Sequence, residues 1–194
     1  MFLRFVTLVT VFSSLCLQSV SRSAEADFGR VTVGATQHGS YFMYLPKNAA
    51  ADSIVAVLIH GVFTPPNTPE HNAESQLREL IPFANQRSIV LIAPVFRDSD
   101  YCSSSRSTIN WGYRALMGRV VGADKFLHDI LSEYKKSHSL HDGRFILIGH
   151  SAGAQFSNRY LVTHPERVIA AFISAPASYA FPTSDSTWPN GMRR

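Results

Sequence analysis

The chain has 194 residues, a formal net charge of +4, an apolar fraction of 45% and only 16% charged residues, against about 25% charged in ordinary soluble domains. That balance excludes a disordered charged tail and a collagen-like repeat, and the length fits one domain with a sizeable core. No Lys/Arg run exceeds a pair (Lys135-Lys136, Arg193-Arg194), so the basic excess leaves no electrostatic footprint for nucleic acid.

Residues 1–26 (MFLRFVTLVTVFSSLCLQSVSRSAEA) read as an export signal. Arg4 gives a positive start, Phe5 to Leu17 a mostly apolar run, and Ala24-Glu25-Ala26 an A-x-A cleavage site. The run falls short of the ~20 residues that span a bilayer, and Ser13 and Ser14 interrupt it. Bulky Leu15 argues against a lipid anchor on Cys16. Cleavage is expected after Ala26, leaving a secreted or periplasmic chain, residues 27–194, with no stable membrane span. Cys102 is then a lone thiol, expected as a small buried hydrophobe.

Phe28 to Val33 and Ser40 to Leu45 predict two half-buried strands, an antiparallel lead-in joined by a Gly-containing turn. Ile54 to Ile59 (IVAVLI) predicts a strand covered on both faces. Residues 73–86 carry Leu77, Leu80, Ile81 and Ala84 at helical spacing, with Pro82 expected to shorten or kink the helix. Ser88 to Ala93 is another buried strand, followed by a long polar segment to Arg114. A second helix is expected over Met117 to Lys136, with Val120, Val121, Phe126, Leu127, Ile130, Leu131 and Tyr134 on its apolar face. Arg144 to Ile148 predicts a strand, Ala152 to Thr163 a helix and Val168 to Ser174 (VIAAFIS) a sixth strand. Strands alternating with helices imply βαβ units. The expected class is α/β: one domain, a three-layer α/β/α sandwich on a mostly parallel sheet.

Gly149-His150-Ser151-Ala152-Gly153 fits G-x-S-x-G between an apolar strand and a helix. That context makes it a nucleophile elbow: a tight turn strains the serine and exposes its Oγ, and the glycines let backbones approach closely. The following helix points its amides and positive dipole end at developing negative charge. His60-Gly61 ends the strand Ile54 to Ile59, where this architecture supplies one oxyanion-hole amide. The expected donors are the backbone N–H groups of Val62 (Phe63 the alternative) and Ala152, with Gly61 permitting close approach to substrate. Read alone, His60-Gly61 would equally be a strand-ending turn with a core histidine.

The segments LIHG, FILIGHSAGAQFSNRYLVTHPERV and AFISAPASY resemble the α/β-hydrolase superfamily, and within it exported esterases and polyhydroxybutyrate-depolymerase-like hydrolases. The similar stretch runs from about Ser40 to Trp188. Its most specific part is Gly149 to Arg167, where the elbow, Gln155, Arg159-Tyr160 and His164-Pro165 follow in family order; Ala154 stands where relatives often carry Gly. The resemblance implies a serine hydrolase of small-molecule or polymeric carboxylic esters with no metal or organic cofactor. It also implies a triad in the order Ser, Asp or Glu, then His.

Only Asp185 is acidic after Glu166, and no histidine follows His164, which reads as a cap on the elbow helix before Pro165. The acid and histidine are therefore expected beyond the end of this chain, making 27–194 a partial α/β-hydrolase domain. The alternatives are an inactive remnant or binding protein, or a peptidase or carbohydrate esterase, since the elbow does not encode the acyl group. His138 and His141 read as a solvated turn rather than metal ligands. Asp98 and Asp100 read as turn chemistry. Trp111 and Tyr113 could wall a substrate pocket or simply pack.

Overall fold

A computed structural model of the chain describes residues 29–104 and 112–193. The export signal at 1–26 and Trp111 lie outside the described residues. Among the described residues six strands follow in chain order: β1 Val31–Thr36, β2 Gly39–Tyr44, β3 Val55–Ile59, β4 Val90–Pro94, β5 Phe145–His150 and β6 Val168–Ser174. Four α-helices accompany them there: α1 Pro69–Arg87, α2 Asp98–Tyr101, α3 Ala123–Tyr134 and α4 Ala152–Thr163.

The strands form one sheet in the order β1-β2-β4-β3-β5-β6. β1 and β2 pair antiparallel with Thr36 opposite Gly39, and β2 runs antiparallel to β4. From β4 through β3 and β5 to β6 the pairing is parallel. Alternate residues of the central strands feed two cores, because successive side chains leave a strand on opposite faces. Val55, Val57, Ile59, Val90, Ile92 and Leu147 pack toward α3 and α4, while Ala56, Leu58, Leu91 and Ala93 pack toward Ala73, Leu77 and Ala84 of α1. This is the expected three-layer sandwich.

Several boundaries differ from the sequence expectation. Strand β1 runs past the expected Val33 to Thr36, because Gly34, Ala35 and Thr36 pair with Tyr41, Ser40 and Gly39 across the turn. Helix α1 begins four residues early because Thr68 caps it, accepting the His71 N–H on Oγ1, with Pro69 in the first turn. It also runs on through Pro82 to Arg87. Helix α3 begins only at Ala123. Residues 117–122 form a turn in which a side chain on Gly118 would collide with the Val121 carbonyl, at 2.1 Å. Val120, expected on the apolar face, is 89% exposed, while Phe126, Leu127, Ile130, Leu131 and Tyr134 are buried as expected. Cys102 is a buried free thiol.

Candidate active site

The elbow lies where β5 passes into α4, and Ser151 carries φ 55° and ψ −118°. Such a backbone conformation is costly for any residue with a Cβ, on the order of 1–3 kcal/mol, and persists only where the surroundings enforce it. The enforcement is visible on both sides. A Cβ on Gly149 would stand 2.2 Å from the Gly153 carbonyl oxygen, and one on Gly153 would stand 2.0 Å from that of Ile59. The two glycines thus let the helix start cross directly over the ends of β5 and β3. The Ser151 N–H donates to the Ser174 carbonyl at 2.9 Å, tying the elbow to the end of β6. Ser151 is half-buried, and Ala152, the first residue of α4, is buried. Amides in a first turn have no partner within their own helix and carry the positive end of its dipole.

The loop after β3 lies against this turn. A Cβ on Gly61 would sit 3.8 Å from the Ser151 Cβ and 3.7 Å from the His150 carbonyl oxygen. That is ordinary contact, so Gly61 leaves the width of a methyl group beside the serine rather than relieving a clash. Val62 is half-buried, and its carbonyl accepts from Asn72 Nδ2 at 3.3 Å. Phe63 is buried and bridges to Ser104.

His60 is a core histidine, and it also shapes the loop. Its ring is 1% exposed; Nδ1 donates to the Gly61 carbonyl at 2.7 Å and Nε2 accepts the Phe96 N–H at 3.1 Å. Both ring nitrogens are therefore used in the neutral form, and burial pulls the imidazole down to about 4. The Tyr113 hydroxyl donates to the His60 carbonyl at 3.0 Å, and Tyr113 stacks on Phe96. Tyr113 thus packs under the loop rather than walling a pocket. Nothing in the sequence pattern pointed to its bond with His60, because the two positions are 53 residues apart.

All eight histidines lie within the described residues, and none hydrogen-bonds Ser151 there. His38 contacts Asp129 at 2.5 Å, and His128 meets the Tyr160 hydroxyl at 2.8 Å. His164 caps α4 and pairs with Asp124 at 3.4 Å, some ~18 Å along the helix from the elbow. His71 sits at the start of α1, His138 stacks on Tyr134, and His141 faces Asp142. His150 turns its Nδ1 toward Ser174 Oγ at 3.4 Å. Asp98 accepts the Ser104 N–H, which is turn chemistry as expected, and Asp185 lies in an exposed turn closed by Thr183.

No protein-family model matches the chain, and no curated protein sequence matches it. Solved structures do. Poly(aspartic acid) hydrolase-1 from Sphingomonas sp. KT-1 superposes with a TM-score of 0.65 at 18% identity, over 84% of this chain and 62% of its own. A poly(3-hydroxybutyrate) depolymerase from Bordetella parapertussis gives 0.65 at 22% identity, over 87% and 60%. The chain has the α/β-hydrolase fold. An acetyl xylan esterase from Aspergillus awamori shares this α/β-hydrolase core more loosely, at 0.51 and 19% identity, over 77% of this chain and 53% of its own. The chain therefore spans less than two thirds of the length of the structures it matches.

Proposed function

We propose that the chain is part of an exported serine hydrolase of carboxylic esters, with Ser151 as the nucleophile. The observation that carries this reading is the enforced φ of Ser151 at the start of a buried helix, with the His60-Gly61 loop set against it. Ser151 Oγ attacks the ester carbonyl, and the Val62 and Ala152 amides hold the oxyanion. The alcohol leaves, and water then releases the acid from the acyl-enzyme. The proton of Oγ needs a base that none of the described imidazoles provides. A histidine and its carboxylate partner from outside these residues complete the triad in this reading. Export rests on residues 1–26.

A second reading, a non-catalytic member of the same fold, is favoured by the lack of an imidazole at Ser151. Hydrolysis of p-nitrophenyl butyrate separates the two. In subtilisin, loss of the triad histidine costs about 2 × 10⁶ in turnover. The 194-residue chain should accordingly show no Ser151-dependent turnover. A longer chain with an in-frame downstream histidine should show it, and Ser151→Ala should remove it. Robust Ser151-dependent turnover from 194 residues would refute the missing base. Its absence from the longer chain would favour the non-catalytic reading.

A further inference from the structure

Helix α4 carries a buried cation two turns beyond the elbow. Arg159 is 2% exposed. Its Nε donates to the Pro189 carbonyl at 2.9 Å, Nη1 to the Gln155 carbonyl at 3.2 Å and Nη2 to Ser178 Oγ at 3.0 Å. Ser178 Oγ in turn donates to Gln155 Oε1 at 3.2 Å. Every one of these partners is neutral, and among the described residues Arg159 forms no ion pair. A guanidinium has five N–H groups, so two are left over. Beside it opens a cavity of about 310 Å³, lined by Arg114, Gln155, Arg159, Ser178 and Asn190 among others, with no acidic residue among the described residues of its wall. Burial and the neighbouring Arg114 pull the Arg159 guanidinium down to about 10, so it still carries its charge near neutrality.

A buried charge is normally paired, since desolvation costs several kcal/mol per ion. The Arg159 guanidinium, with neutral partners and two N–H groups to spare beside a small cavity, is the donor fork that a planar two-oxygen anion requires. The position ties the cavity to the elbow. Gln155, whose N–H donates to the Ser151 carbonyl at 3.2 Å, and Arg159 follow one turn apart on α4, roughly 6 and 12 Å along the axis from the elbow. Arg114 directly follows Tyr113, whose hydroxyl holds the His60 carbonyl.

We propose that this cavity is the subsite for a carboxylate carried by the substrate, so that the substrates are esters of acids bearing a second, ionised carboxylate on the order of 6–12 Å from the scissile carbonyl. As a specificity subsite it rests on Ser151 being the nucleophile; the anion binding itself does not.

The test is isothermal titration calorimetry on the 194-residue Ser151→Ala protein with three probes: monomethyl adipate, neutral methyl hexanoate and inorganic phosphate. Monomethyl adipate should bind at least about tenfold more tightly than methyl hexanoate, the value of one charge-assisted contact, and more tightly than phosphate. Arg159→Gln should remove the preference. Because that variant can lose its fold, Ser178→Asp serves as the second. It supplies the Arg159 guanidinium with a carboxylate of its own and should remove the preference while the urea midpoint holds or rises. Equal binding of monomethyl adipate and methyl hexanoate would overturn the anion subsite. Phosphate binding as tightly as the monoester would overturn its assignment to substrate. Either failure leaves the ester-hydrolysis test of Ser151 untouched, because the serine is absent from this measurement.

Discussion

Replacing Gly153 with alanine tests whether the elbow is held by backbone packing. The added Cβ would lie 2.0 Å from the Ile59 carbonyl oxygen, 2.8 Å from its carbon and 3.0 Å from the His60 carbonyl oxygen. None of these is the end of a flexible side chain, so relief means moving α4 away from β3. Ordinary contact begins at 3.4 Å, and the required shift is about 1.4 Å. Alanine gains about 1 kcal/mol over glycine in helix propensity, while overpacking a core costs 1–3 kcal/mol and sometimes more. Displacing backbone rather than side chains puts this case at the upper end, and a net loss of about 3 kcal/mol is expected. Gly61→Ala is the internal control, since its Cβ meets only ordinary contacts at 3.7 and 3.8 Å; it should change stability by less than ~1 kcal/mol. Urea unfolding followed by tryptophan fluorescence at low protein concentration measures both. A Gly153→Ala protein within about 1 kcal/mol of its parent would refute the proposed crossing of the helix start over β3.

Ser151→Gly should stabilise the fold by about 1 kcal/mol through release of the φ 55° strain, read by the same urea titration; a loss of stability would contradict an enforced elbow. Stability should fall as pH drops from about 6.5 toward 4, because the unfolded chain takes up a proton that buried His60, held at about 4, refuses. The full loss is about 3 kcal/mol, His128 adds in the same direction, and His60→Asn should flatten the urea midpoint against pH; identical slopes would count against it. Among the described residues β6 has a neighbouring strand on one side only, and its Phe172 is 60% exposed. An uncharged, β-prone edge invites association, so the protein should bind a hydrophobic dye strongly and Phe172→Lys should reduce that signal. A dye-silent monomer would argue otherwise.

The local features of this protein were legible in its sequence because their causes are local. Apolar runs of five to seven residues between turn signals are too short for helices, and β3, β5 and β6 lie where VAVLI, FILIGH and VIAAFIS stand. The elbow was legible for the same reason: two glycines flank a serine between a strand and a helix, and α4 spans the expected Ala152 to Thr163. Other features depend on groups far apart in the chain. Strand β4 sits between β2 and β3 because hydrogen bonds join separate strands, and no period within one segment encodes that order. Tertiary structure also decided the histidines. His60 is a neutral core group because other elements bury its ring and the Phe96 amide donates to its Nε2, and His164 faces Asp124 rather than Ser151 because it stands at the opposite end of α4. Arg159 stands out in sequence only as part of the family-like stretch after the elbow, which says nothing of its burial. Only packing of the segment after β6 over α4 removes its guanidinium from water and surrounds it with neutral partners, because desolvation is a property of the assembled fold.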